Sequence, residues 1–261
     1  MDLRRVWLLL KIKHLMIAAL LILTAYGIYR YGTSNLLPIA AITLTAAILD
    51  IAISFVKEKK FLAPESAIIS GLIISLIIQG DLPLLMGLAA IAILSKHLIR
   101  IKGKHIFNPA NFALFVGLFL PVSESWWGAS NVLLAGILGL VIVFKLKRFH
   151  LALPFLAVHA AIMFALYSGQ LASHIASGSL VFFAFYMLIE LVTSPSKMKG
   201  RIAFGVLAGI FATLLYVAWL PAMLVGALFF ADLFVPLLNR QGDSKPKPQQ
   251  LHNESTTNPN W

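Results

Sequence analysis

Long apolar stretches alternate along the chain with short polar ones, and the apolar stretches are too uniform to be the buried faces of surface helices. Ten of them fall near residues 14–31, 36–56, 66–79, 83–95, 108–120, 129–144, 151–168, 174–192, 202–218 and 221–238. A spanning helix needs roughly 17–25 apolar residues, so the pattern predicts an all-α integral membrane protein of about ten transmembrane helices. Several stretches are shorter than a full span, which is expected of helices that are tilted, broken or shielded by neighbours. The polar punctuation carries a second signal. Basic residues open the chain (Arg4, Arg5, Lys11, Lys13) and then cluster after every even-numbered stretch. These clusters are Lys57/Lys59/Lys60, Lys96/Arg100/Lys102/Lys104, Lys145/Lys147/Arg148, Lys197/Lys199/Arg201 and Arg240/Lys245/Lys247. The intervening turns are nearly free of Lys and Arg, with Arg30 the exception. Cationic loops resist translocation, so the alternation predicts both termini on the cytoplasmic side. The basic start followed by an apolar run is expected to be a retained first helix, because no small-residue cleavage site precedes Arg30.

Ten helices divide into five and five, and an odd number per half makes the halves inverted. Helix three opens Ser66-Ala67-Ile68-Ile69-Ser70-Gly71 and helix eight opens Ser173-His174-Ile175-Ala176-Ser177-Gly178, matching at four of six positions. Both lie third in their half, which supports repeats at 14–120 and 129–238 inside a polytopic membrane domain covering 1–238. Residues 239–261 are polar and Pro-rich, cannot bury enough apolar area to fold, and are expected to form a disordered cytoplasmic tail.

Composition agrees with this pattern. The chain is 60% hydrophobic and 12% charged, with a mean hydropathy of +0.90, which places it in the membrane class and the cell (plasma) membrane as a multi-pass protein. Its net charge of +11 invites a nucleic-acid reading. The charge lies in turns between apolar runs, however, without a basic helix face or RNA-binding motif, so no nucleic-acid partner is expected. It reads instead as an orientation signal with a secondary attraction to anionic lipid. The lipid bilayer is thus the first partner. With no cysteine in the sequence, disulfides, thiolate metal sites and Cys nucleophiles are excluded. Five of the seven histidines, His97, His105, His150, His159 and His174, share no ligand spacing on a helix face, so no metal site is expected.

Acidic residues inside a bilayer are costly and need a reason. Asp50 near the inner end of helix two, Glu190 near the inner end of helix eight and Asp232 within helix ten are the three, and they are candidates for an ion path. For Asp50, simple pairing with a nearby cation such as Lys57 is an equal alternative. Phe107-Asn108-Pro109-Ala110-Asn111 stands where a basic loop enters helix five. Asn can cap the first turn and Pro suits the first helical position. The exposed N–H groups there, with Lys96, Arg100, Lys102 and Lys104 upstream, could hold a phosphate or a flavin or quinone oxygen. Thr193-Ser194-Pro195 ends helix eight ahead of Lys197, Lys199, Gly200 and Arg201, with hydroxyls able to satisfy freed carbonyls. A plain helix cap and a plain polar turn are the structural alternatives. Both turns lie on one side, so Lys96, Asn108, Pro109, Asn111, Thr193, Ser194 and Arg201 are the candidate cofactor-binding set.

Four ordered stretches resemble a known family. They are the Lys96 helix end running into Gly103-Lys104-His105-Ile106-Phe107-Asn108-Pro109-Ala110, then Phe185 through Pro195, then Lys199-Gly200-Arg201-Ile202-Ala203-Phe204-Gly205, and finally Ala231-Asp232-Leu233-Phe234-Val235-Pro236-Leu237-Leu238. Together they resemble the RnfD and NqrB family: the D-type membrane component of Rnf electron-transport complexes and its relative, the B-type component of the sodium-translocating NADH:quinone oxidoreductase. The single Asn-Pro-Ala does not match aquaporins, which carry two such motifs on six helices. The resemblance implies a ten-helix inverted-repeat fold and a membrane subunit of a redox-driven ion pump, assembled with other membrane subunits. The family attaches FMN through a phosphoester to a Thr in a Ser-Gly-Ala-Thr-like motif after the Asn-Pro-Ala helix. Here Pro121-Val122-Ser123-Glu124-Ser125-Trp126-Trp127-Gly128 follows instead, so covalent FMN is not expected. A noncovalent flavin (FMN or riboflavin) or a quinone is. Two other readings stay open: a transporter or channel for a small solute such as a flavin on the same scaffold, and a scaffold subunit without chemistry.

Overall fold

The computed structural model describes residues 11–101, 103–167 and 177–240. Expectations for Lys102, for residues 168–176 including His174, and for the tail from residue 241 lie outside the described residues. Among the described residues there are ten α-helices: α1 (Ile12–Tyr31), α2 (Leu36–Glu58), α3 (Glu65–Ile77), α4 (Leu82–Leu98), α5 (Pro109–Gly117), α6 (Val132–Leu146), α7 (Phe149–Leu166), α8 (Gly178–Phe182), α9 (Met198–Ala218) and α10 (Met223–Arg240). Each coincides with one apolar stretch of the sequence. Two short antiparallel ribbons join them, β1 (Ile78–Gln79) with β4 (Ser123–Glu124) and β2 (Arg100–Ile101) with β3 (Lys104–His105).

Five segments among the described residues are long and apolar enough to cross a membrane alone: Ile12–Tyr31, Thr33–Glu58, Phe149–Leu166, Met198–Ala218 and Leu220–Asn239. Three of the others, α3, α5 and α8, fall short for identifiable reasons. Helix α3 has 13 residues, about 20 Å at 1.5 Å per residue, against a hydrocarbon layer of roughly 30 Å. It ends where Ile78 turns extended and pairs with Glu124. Helix α5 has only nine residues and stops at Gly117, three residues before its apolar stretch does. The eighth apolar stretch becomes α8, continues as a π-helix over Phe183–Met187, and breaks before Glu190. Irregular backbone is tolerated at membrane depth only where protein buries it, and that condition is met here. Residues 70–77 of α3 and residues 182–189 after α8 are buried on every side. These two short helices form the centre of the bundle. Longer helices surround them and turn Leu21, Leu44, Ile48, Leu133, Ile137, Leu153 and Leu214 outward.

Neighbour relations recur five helices apart. Helix α1 packs on α3 as α6 packs on α8, α2 on α4 as α7 on α9, and α4 on α5 as α9 on α10. The α7–α9 contact is made close by Gly205 and Gly209, spaced four apart. A methyl group at Gly205 would stand 2.5 Å from the Leu151 carbonyl oxygen, and one at Gly209 would stand 2.9 Å from that of Phe155. Small residues at this spacing let helix backbones approach where hydrocarbon solvent gives no hydrophobic drive. Thr213, one turn further on, meets His159 Nδ1 at 3.0 Å.

The lysine-rich turns touch one another. Lys57 Nζ donates to the His97 carbonyl at 3.2 Å, Lys13 pairs with Glu65 at 3.2 Å, and the Ser196 amide donates to Asn239 Oδ1 at 2.9 Å. The lysine-poor turns also touch. The Ser125 amide donates to the Ile77 carbonyl, Trp127 Nε1 donates to the Ser75 carbonyl at 2.8 Å, and Phe119 meets Trp219. The bundle thus has one basic end and one lysine-poor end.

Candidate functional site

At the basic end, α2 and α4 lie side by side and bring Asp50 and Lys96 to the same height. Asp50 is 5% exposed. Lys96 Nζ donates to both its carboxylate oxygens, at 2.8 and 2.9 Å, and to Ser66 Oγ at 2.7 Å. His97 Nε2 lies 2.8 Å from Asp50 Oδ1. Asp50 is thus paired with a nearby cation, as the alternative reading had it, but the cation is Lys96 and not Lys57. Lys57 stands two turns further along the same helix, about 10 Å away by helical rise, and it donates to the His97 carbonyl instead.

Past α4 the chain makes the β2–β3 ribbon, turning at Gly103 with φ +80°, a conformation open to glycine and costly for most other residues. The ribbon delivers Asn108 to the start of α5. Asn108 Oδ1 accepts from the Asn111 amide at 3.1 Å, satisfying one of the four orphan donors of the helix start, and Pro109 occupies the first helical position. The remaining groups of this cap point into the protein. The Asn108 amide donates to Asp232 Oδ2 at 3.0 Å, its Nδ2 to the Met187 carbonyl at 3.3 Å, and Asn111 Nδ2 to the Val225 carbonyl at 2.9 Å. Asp232 and Asn111 are fully buried. Asp232 Oδ1 and Asn111 Oδ1 each lack a hydrogen-bond partner among the described residues. Two orphaned acceptor oxygens beside one helix start is an unusual arrangement, because buried acceptors are ordinarily satisfied.

The π-helix supplies the opposite wall. Tyr186, stacked on Phe182, donates its hydroxyl to the Ala135 carbonyl at 3.0 Å. The apolar pattern puts Glu190 inside the eighth helix, but it lies beyond the helix end, in a turn, because the π-helix exhausts the regular backbone at Met187. Its carboxylate meets His105 Nε2 at 3.3 Å and accepts from Thr193 Oγ1 at 3.3 Å. Ser194 Oγ donates to the Glu190 carbonyl and accepts from Arg148 Nη1 at 2.8 Å. Arg201 Nε donates to the Pro195 carbonyl at 2.9 Å, and its Nη1 lies 2.9 Å from His150 Nε2. Burial, with Arg201 nearby, pushes the Arg148 guanidinium down to about 10.

These walls enclose a cleft of about 400 Å³, within the roughly 300–1,000 Å³ of small-molecule sites. Its floor is apolar, from Met16, Ile69, Ile73, Leu146 and Ile189, and its rim carries Lys13, Lys96, Arg100, Lys104 and His105 against Glu190. Of the residues predicted from sequence, Lys96, Asn108, Pro109 and Glu190 line this cleft. Asp50 lies behind Lys96, and Asp232 and Asn111 lie behind the α5 cap. Thr193, Ser194 and Arg201 do not line it. They gather with Arg148 and His150 beyond the Glu190 turn. A second cleft of about 370 Å³ shares Lys104, His105 and Val192 with the first and reaches Pro236 and Asn239. Nothing in the sequence singles out Lys13, Tyr186 or Arg148. Lys13 and Arg148 look like any other basic turn residue, and Tyr186 like any other aromatic in an apolar helix.

The family model described as NQR2, RnfD, RnfE family matches residues 8–129 and 112–246. The chain is 29% identical over 229 residues to the D-type subunit of the ion-translocating oxidoreductase complex of Methanosarcina acetivorans, covering 77% of each protein. It is 30% identical over 138 residues to the protein of the same name from Actinobacillus pleuropneumoniae, covering 48% of this chain and 37% of that protein. It is 22% identical over 255 residues to the D-type subunit of the proton-translocating ferredoxin:NAD(+) oxidoreductase complex of Clostridium ljungdahlii, covering 73% of this chain and 76% of the relative.

Proposed function

The chain belongs to the NQR2, RnfD, RnfE family, and from that premise we propose that it is the D-type membrane subunit of an ion-translocating oxidoreductase complex, working beside other subunits. Its relatives carry that name, and its apolar helices make it a membrane protein. The observation that carries the site reading is the meeting of the α5 cap and the Glu190 turn in one basic-rimmed, apolar-floored cleft. That combination suits a flat, amphipathic ring system with a polar or anionic edge, such as a flavin or a quinone held noncovalently. When bound, such a group supplies electron transfer.

The chain's own residues have separable tasks. Arg100 and Lys104 would neutralise an anionic edge, since Lys96 is held by Asp50 and Ser66 and Lys13 by Glu65, and Asn108 would fix the wall that the edge meets. Asp232 and Asn111, each with an orphaned oxygen behind that wall, offer acceptors to a cation. Asp50 under Lys96 and Glu190 under His105 are carboxylates that can exchange protons or cations at the basic end. A covalent FMN is not part of this reading. No threonine lies between Gly117 and Asn131, and Ser125 Oγ is turned onto the Ile77 carbonyl at 3.3 Å.

The same neighbour relations five helices apart support two inverted halves in residues 14–120 and 129–238, with ten crossings completed by the short buried helices. The meeting of the lysine-rich turns supports a single cytoplasmic face in the plasma membrane, carrying both termini. Flavin retention tests the site. The purified protein is expected to be yellow with a flavin spectrum. Asn108→Ala should lower bound flavin by removing the cap, and Thr193→Ala should do so by releasing Glu190. If neither variant changes the flavin bound, the shared-site reading is wrong.

A further inference from the structure

The cluster beyond the Glu190 turn lacks a counter-charge. Arg148 is 6% exposed and gives Nη1 to the neutral Ser194 hydroxyl. Half-buried Arg201 spends its donors on the Pro195 carbonyl and on His150. Glu190, three and four residues from Thr193 and Ser194, keeps its carboxylate on His105 and Thr193. Among the described residues, neither guanidinium has a carboxylate within ion-pair distance. Hydroxyl and carbonyl partners satisfy donors but leave two neighbouring positive charges uncancelled. Removing charge from water without an opposite charge is costly, so the arrangement calls for an anion. Guanidinium forks match carboxylate and phosphate oxygens alike, and with no carboxylate of the described residues in reach, a phosphate has oxygens enough for two guanidinium groups at once. The surroundings favour one source of phosphate. The same ends of α6, α7 and α9 expose Phe144, Leu153, Met198 and Ile202, apolar side chains of the kind that meet acyl chains. Basic pockets between membrane helices at the headgroup level bind anionic lipid.

We propose that Arg148 and Arg201 form a binding site for the phosphate ester of an anionic phospholipid, at the basic end of the bundle where α7 and α9 begin. The site requires only that the chain sits in a bilayer, and it stands whether or not the neighbouring cleft holds a flavin.

The test uses the full-length protein in phosphatidylcholine nanodiscs containing phosphatidylglycerol, with retained lipid counted by native mass spectrometry after release. Wild type is expected to keep phosphatidylglycerol in preference to phosphatidylcholine. Arg148→Gln and Arg201→Gln should each lower that retention about tenfold, as loss of a charge-assisted hydrogen bond predicts. Lys60→Gln, an exposed cation at the same end, should not. Arg148→Lys should retain more than Arg148→Gln. Should Arg148→Gln lose its monodisperse elution profile, Arg201→Gln at its half-buried position decides alone. Wild-type retention in Arg201→Gln overturns the site. Binding of inorganic phosphate in discs of pure phosphatidylcholine, or displacement of phosphatidylglycerol by millimolar phosphate, overturns the lipid assignment in favour of a soluble phosphate.

Discussion

Individual side chains at the basic end are held by charge, and the cost of breaking a pair exceeds the benefit of making it. Asp50 and Lys96 are nearly enclosed, with side chains 7% and 18% exposed. Lys96→Met leaves the Asp50 carboxylate with His97 alone, and removing one partner of such a buried pair typically costs about 3–5 kcal/mol. Asp50→Asn combined with Lys96→Met removes both charges, so its thermal midpoint in detergent should recover much of that loss. If the double variant is no more stable than Lys96→Met alone, the pair is not what holds α2 to α4 here. At the lysine-poor end, Glu124 makes a different prediction. Burial raises its carboxyl from 4.5 to about 7, against the hydrogen bond from Trp126. A raised acid binds its proton more tightly in the folded state, so its contribution is fully present below pH 4.5 and is lost as pH climbs through 7. Glu124→Gln should therefore raise the melting temperature at pH 8, by on the order of 3 kcal/mol in stability, and flatten its dependence on pH between 4.5 and 7. Residue types alone point to Asp50, Glu190 and Asp232, since a carboxylate in an apolar run is conspicuous in any sequence. Their partners are not readable there. Which cation meets Asp50 depends on how far α4 slides along α2, and no local pattern records that offset.

At the scale of elements, hydropathy marks every helix, because all ten bury or present apolar surface to lipid. It overstates three of them. A stretch stays apolar whether it is a spanning helix or a short helix followed by extended chain sealed inside the bundle, so the breaks after Ile77, Gly117 and Met187 leave no trace in composition. The cap at Asn108 is legible because Asn-Pro is a local chemical signal. The Gly205–Gly209 seam is a different case, since its spacing stands in the sequence but its partner, α7, does not. This seam gives a prediction with an internal control. Gly205→Ala places a methyl group against the Leu151 carbonyl, so α7 and α9 must separate, at a cost of about 1–3 kcal/mol. Gly87→Ala in α4 meets nothing within 4 Å and gains helix propensity of up to about 1 kcal/mol. The two variants should move the thermal midpoint in opposite directions. Equal shifts would mean that close approach of backbones does not govern the seam.

Across the whole molecule, sidedness is what turns a bundle of helices into a vectorial device, and the contacts constrain it more tightly than charge alone. Lys57 reaches the end of α4, Glu190 reaches the β2–β3 ribbon, Arg148 reaches Ser194, and Ser196 reaches Asn239. Turns separated by two helices, or by four in the case of Glu190 and the ribbon, are thereby fastened to one another at one end of the bundle. The sequence contains no cysteine, so single cysteines report sidedness without a background to remove. Lys60→Cys and Lys199→Cys sit at exposed positions of the basic end, and Ser34→Cys and Ser123→Cys at exposed positions of the other. A membrane-impermeant maleimide applied to intact cells, with the outer membrane opened where there is one, should label the two serine positions. It should reach the two lysine positions only after the inner bilayer is breached. Labelling of Lys60→Cys and Lys199→Cys together from outside would keep the bundle and reverse it, exposing the cleft and the paired arginines to the wrong compartment. Labelling of one without the other would mean that an odd number of the helices α3 to α8 cross the bilayer, and the correspondence of the two halves would go with the missing crossing.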